Sequence, residues 1–231
     1  MAKHDGQTTA SSSAIGKIRE RRRADLVNLV VPIDTRAEIL SATERLLFSA
    51  PLHEITVEGL LREAGVSRAT FYAHFESKFD AAAALMDRVM GTMFELLSPF
   101  VDRQPGVSAD AAIRLVLDAS SQHWKEHAPV FRAIHDHRHS VAELRTQWLE
   151  VTRRFTEAVV GQLEREQAEG QISGTLDVRQ VAASLVWSTE HLLYVAGSGI
   201  DTDLPGETAI IDTIVGLWVG AIYGRYPEPR A

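Results

Sequence analysis

Ile55-Thr56-Val57-Glu58-Gly59-Leu60-Leu61-Arg62-Glu63-Ala64-Gly65-Val66-Ser67-Arg68-Ala69-Thr70-Phe71-Tyr72-Ala73-His74-Phe75-Glu76-Ser77-Lys78 sets the architecture of this chain. Thr56, Ser67 and Ser77 each stand where a hydroxyl accepts from an amide of the following turn, so three helices are expected to start there. Glu58 suits the positive end of the first. Gly65 supplies the left-handed residue that stops it. Two helices joined by so short a turn form a helix-turn-helix. Leu60, Leu61, Val66, Phe71 and Phe75 supply its inner face. Arg68, Thr70, Tyr72, Ala73 and His74 remain outside, on a helix narrow enough for a DNA major groove.

The pattern continues outward in helices. Thr35 and Glu38 read as a capping box for a first helix closed by Pro51. After Ser77 a helix runs to about Leu97, and Ser108 opens another to about Glu126. Pro129 starts a short one. Ser140 and Glu143 read as a second capping box. Beyond it Val141, Leu144, Trp148, Val151, Phe155, Val159 and Leu163 recur on one helical face. Asp177 caps a helix to about Gly197, and a last one spans about Gly206 to Tyr226. No alternating strand pattern occurs. The expectation is an all-α chain of about nine helices: an N-terminal three-helix helix-turn-helix domain and a C-terminal helical ligand-binding and dimerisation domain. The expected boundaries are 1–33 for a basic arm, 34–80, 81–226, and 227–231 for a tail.

Of 231 residues, 45% are hydrophobic and none is cysteine, which excludes disulfides and thiolate metal sites. The N-terminal run has no apolar stretch for a signal peptide, and no run reaches the length of a membrane span. A cytoplasmic protein without a membrane partner is expected. The net charge of −7 is unevenly placed: residues 1–80 carry 11 Lys+Arg and 11 Asp+Glu, so all the excess acidity falls on the remainder. Lys17, Arg19, Arg21, Arg22 and Arg23 cluster, opposed by Glu20. Beside a DNA-reading motif they form a candidate phosphate-binding arm; elsewhere such a cluster is a solvated tail.

The Ala-Gly-Val-Ser turn, the Tyr72-Ala73-His74-Phe75 tetrad and Ser77-Lys78 resemble the DNA-binding signature of the TetR family of bacterial regulators, in register over about two dozen positions. Gly59, Leu61 and Phe79 depart from its usual pattern at packing positions. The resemblance implies that Thr56 and Ser67 set helix amides against phosphates. It implies that Tyr72, His74 and Lys78 donate to phosphates, while Arg68, Ala69, Thr70 and Ala73 face base edges. Arg68 would pair bidentately with guanine. On the residues alone, Tyr72 and His74 equally cap a small helical core, and Lys78 is a solvated first-turn residue. Thr189-Glu190 and Leu217 to Gly224 are similar to a mycobacterial branch of the same family.

Further implications are a homodimer through the last two helices, a roughly palindromic double-stranded operator, and a small apolar or aromatic effector that releases a repressor from DNA. All 4 tryptophans lie beyond the reading motif. The candidate effector pocket is Phe94, Trp124, Trp148, Phe155, Trp187, Glu190 and Tyr194. The bland reading of these aromatics is core, and that of Glu190 is a partner for Arg153 or Arg154. His123 and His127, four apart, have a spacing that can chelate zinc, but His127 also suits the negative end of its helix, and His135, His137 and His139 alternate in a polar junction, so no metal and no cofactor is expected. An enzyme finds no support: there is no nucleophile elbow or phosphate-cradling glycine loop. The acidic C-terminal part argues against a non-specific DNA binder.

Overall fold

A computed structural model describes residues 34–198 and 206–224. The chain divides into two compact units, residues 1–38 and 39–231. Among the described residues there are ten helices and no strand. They are α1 (Thr35–Ser49), α2 (Val57–Ala64), α3 (Arg68–His74), α4 (Lys78–Glu95), α5 (Ser98–Val101), α6 (Ala109–Glu126), α7 (Ala128–His137), α8 (Ala142–Ala168), α9 (Val178–Ser198) and α10 (Glu207–Tyr223). The helix the sequence reading missed is α5, a single turn after α4 with Pro99 near its start, where the missing amide costs nothing. The last helix stops at Gly224, in the left-handed region at φ 66°, short of Tyr226. The arm residues Arg21, Arg22 and Arg23 and the tail 227–231 lie outside the described residues.

The helix starts follow local chemistry. Thr56 accepts from Gly59 N–H at 3.0 Å, Ser67 from Thr70 N–H at 3.1 Å and Ser77 from Asp80 N–H at 3.1 Å. Gly65 sits at φ 66° and ends α2 as expected. Two capping boxes are corrected. The residue that caps α1 is Asp34, whose Oδ1 accepts from Arg36 N–H at 3.0 Å. The Ser140 hydroxyl turns backwards and donates to His137 O at 3.2 Å, so α8 starts at Ala142 without a side-chain cap. In both cases a competing local bond one residue away or one turn back takes the group.

In the second unit, Ile39, Leu52, Ile55, Leu60, Phe71 and Phe75 are buried together and brace the reading helix from within. Phe71 is wholly buried, and truncating so large a core ring costs about 3–5 kcal/mol. The axis of the larger bundle is α8. Leu144, Trp148, Val151, Val159 and Leu163 bury one face of it, at the expected spacing. Helices α4 and α9 pack along it. Its C-terminal end carries a buried charge cluster. Glu166 accepts from Arg103 Nη2 and the Tyr223 hydroxyl, both at 2.6 Å, and from Gln162 Nε2 at 2.7 Å. Fully paired, this carboxylate ties α10 to α8.

Candidate DNA interface and ligand cavity

The turn at Gly65 holds α3 with one face outward. Ser67, Arg68, Ala69, Tyr72, Ala73 and His74 are exposed, Thr70 is half-buried, and Thr56 stands exposed at the start of α2. The ring of Tyr72 packs edge-on against Phe71, with centroids 5.3 Å apart, so its position is fixed by the core. Thr70 spends its hydroxyl on Ser67 at 2.7 Å. Arg68 pairs across the turn with Glu58. A hydrogen bond from its own backbone, then Arg68, holds the Glu58 carboxyl below the usual carboxylate range. The proposed guanine reader therefore carries an acidic partner of its own.

Lys78 is placed differently from the expectation. Its Nζ donates to the carbonyls of Leu52, His53 and Ile55 at 2.9, 3.0 and 2.7 Å. An ammonium has three protons, and all three are committed to the loop between α1 and α2. Burial pulls this amine below the ordinary lysine range. A donor so engaged locks the loop. The loop carries no sequence signal for this, because its partners are carbonyls.

A cavity of about 120 Å³ lies among α4, α6, α7, α8 and α9. Of the residues expected to form a pocket, Trp124, Trp148, Phe155 and Glu190 line it. Phe94, Trp187 and Tyr194 do not, and are corrected to a second layer. Phe94 meets the lining Phe155 edge-on, centroids 5.5 Å apart. Trp187 meets Trp148 edge-on at 4.5 Å and is 43% exposed. Tyr194 stacks on His135 at 3.4 Å, and burial pushes its phenol above the usual range. Helical periodicity places these rings on the right helices but cannot say which layer each occupies. Sequence reasoning missed Met86, Met90 and Met93 of α4, which line one wall. Methionines there offer an adaptable surface.

The polar end of the cavity is Glu190. Its partner is neither Arg153 nor Arg154. Arg153 pairs with Glu150 and Arg154 with Asp87, both outside. Instead Arg138 Nη1 and His135 Nε2 approach Glu190 Oε1 at 3.4 and 3.3 Å. The Arg138 guanidinium also lies over the Trp148 ring, 4.1 Å from its centroid. His135 Nε2 is buried without a hydrogen-bond partner. Opposite, Trp124 stacks on Phe131 at 3.8 Å, and Gly197 of α9 lies against its outer edge: a Cβ there would stand 3.0 Å from the indole.

An exposed helix held by a glycine turn, on a helical bundle with an apolar cavity, is the arrangement of a helix-turn-helix regulator with an effector domain. Residues 39–86 match the model of the bacterial regulatory proteins of the tetR family, and residues 111–224 match the C-terminal domain of the transcriptional regulator EthR. The chain belongs to the TetR family of DNA-binding transcriptional regulators. It is 28% identical over 218 residues to EthR of Mycobacterium tuberculosis, covering 94% of this chain and 99% of that one. It is 26% identical over 200 residues to EthR of Mycolicibacterium smegmatis, covering 86% and 90%. Among solved structures the fold resembles GusR of Salmonella enterica, with TM-score 0.65, 18% identity and coverage of 84% and 98%. It also resembles FadR of Bacillus subtilis in complex with stearoyl-CoA, with TM-score 0.66, 20% identity and coverage of 80% and 98%. The family and these relatives are regulators, not enzymes. No described helix is long and apolar enough to cross a membrane.

Proposed function

We propose that the protein is a repressor that holds a roughly palindromic operator as a homodimer and leaves it when a small, largely apolar ligand fills the cavity. The proposed working parts are a basic arm over 1–33, a reading domain over 34–80 and an effector and dimerisation domain over 81–226. The observation that carries the reading is the double engagement of α4. Its first residue, Lys78, grips the loop beside the reading motif, while Met86, Met90 and Met93 further along wall the cavity. A ligand that displaces those methionines moves the helix whose start is tied to the DNA-binding turn. Ligand binding thus favours one position of α4, and the reading helices follow.

Arg68, Ala69, Thr70 and Ala73 face bases in this reading, and Thr56, Ser67, Tyr72 and His74 position the backbone. Lys78 acts by holding the loop. The exposed Trp187 of α9 and Leu217 of α10 form part of the subunit contact. The stearoyl-CoA named for the Bacillus subtilis neighbour is consistent with a long apolar effector. The site for it here is the cavity bounded by Trp124, Trp148, Phe155 and Glu190.

Fluorescence anisotropy tests this. DNA from upstream of the protein's own gene is titrated with the full chain, then with acyl and aromatic compounds selected by thermal shift. Binding at least a thousandfold tighter than to scrambled DNA, reversed by a compound that raises the melting temperature, is expected. A compound that stabilises the protein and tightens its grip on DNA would overturn the release mechanism.

A further inference from the structure

The C-terminal end of α6 carries a second cluster that the DNA and ligand sites do not use. His123, Glu126 and His127 fall at positions i, i+3 and i+4, one face of one helical turn. One ligand atom from each lies within 4.8 Å of those from the other two. The imidazole centroids are 4.5 Å apart. We propose that these three residues bind zinc or a similar borderline divalent cation, with water completing the coordination.

The surroundings of the two rings carry the case. His123 is buried, and its Nε2–H donates to Val89 O of α4 at 2.9 Å. His127 Nδ1 meets the Glu44 carboxylate of α1, so a proton lies between them. Each ring thus has one nitrogen held as a donor, by a backbone carbonyl in one case and a carboxylate in the other. That bond fixes the tautomer and leaves His123 Nδ1 and His127 Nε2 as the lone-pair nitrogens a metal requires. Outer bonds of these two kinds orient the histidine ligands of metal sites generally. Glu126 is exposed and accepts from Gln122 Nε2 at one oxygen, so its other oxygen supplies an anionic ligand. The last carbonyls of α6 add the negative end of the helix dipole. Glu44 also takes Arg88 Nη2 at 2.7 Å, which balances its charge without touching the two histidines.

The other cluster of this composition, His135, Glu190 and His191, is a poorer host, because Arg138 already places a cation on Glu190. Binding at α6 would have a structural consequence. A metal on His127 Nε2 makes the opposite N–H a stronger donor, which tightens the bond to Glu44 and so the junction of α1, α4 and α6.

The test is equilibrium dialysis and calorimetry of the full chain with zinc, after EDTA treatment, repeated with Co²⁺ for its visible absorption. One zinc per chain is expected. Glu126→Ala should weaken it tenfold or more, and His127→Gln should abolish it, while His191→Gln leaves it unchanged. Glu126 is exposed, so its variant folds, which melting in EDTA verifies. Absence of saturable binding at stoichiometric protein would overturn the proposal. So would binding that survives Glu126→Ala and His127→Gln, or that His191→Gln removes.

Discussion

Lys78 Nζ lies 2.7 Å from the carbonyl oxygen of Ile55, across 23 residues of chain, and this bond sets the angle between α4 and the loop that leads into α2. Replacing Lys78 by Met removes it and two like it. The expected loss is about 2 kcal/mol of stability, the scale of hydrogen bonds to a charged donor, read from urea unfolding. DNA affinity should fall as the reading turn loosens, with the same salt dependence as the parent. A residue donating to phosphate would instead flatten the log–log salt slope by roughly 0.9.

Glu58 and Arg68 form an ion pair across the turn, which DNA opens if Arg68 reads a base as proposed. Glu58→Ala should tighten operator binding several-fold, since Arg68 then no longer exchanges one partner for another. Arg68→Ala should weaken binding by about 1–3 kcal/mol and relax preference at a single base pair, as competition anisotropy with point-substituted operators would read. An Arg68→Ala protein that keeps the parent's preference at every base pair would remove this residue from base reading.

Glu166 is 1% exposed and bonded to Arg103, Gln162 and Tyr223. Glu166→Ala leaves the Arg103 cation without its buried counter-charge and should cost about 3–5 kcal/mol in denaturant unfolding. Tyr223→Phe, which removes one neutral donor, should cost about 1 kcal/mol.

Thr152 lines the cavity with its hydroxyl turned back to Trp148 O at 2.9 Å. Thr152→Leu fills part of the empty space with methyl groups. Its melting temperature should rise, and the thermal shift given by an apolar effector should shrink. Trp187→Ala should keep the effector response, because Trp187 stands behind Trp148. A full response in Thr152→Leu together with a lost one in Trp187→Ala would place the effector outside the cavity.

The reading motif was legible because its causes are local. Thr56, Ser67, Ser77 and Gly65 act within one turn of themselves, and each stands in the structure where its chemistry requires. The axis of α8 was legible from period alone. Lys78 was not, since its partners are backbone oxygens 23 to 26 residues upstream. Nor was the bond between His127 and Glu44, which spans 83 residues. The cavity shows the same limit. Trp148 and Trp187 are both large aromatics on apolar helices, and only the packing of α8 against α9 decides that one faces the void and the other looks outward. Glu190 was singled out for its charge, but its arginine lay beyond any helical spacing.

Gly197 gives the family trait of changing effectors a simple route in this chain. Gly197 is not among the residues lining the cavity, yet a Cβ added there would stand 3.0 Å from the Trp124 indole, which does line it. A shift of the indole toward the cavity would relieve that contact. Bulk gained outside the cavity would then become room lost within it, so the size of the proposed effector could be retuned while every wall residue stays as it is.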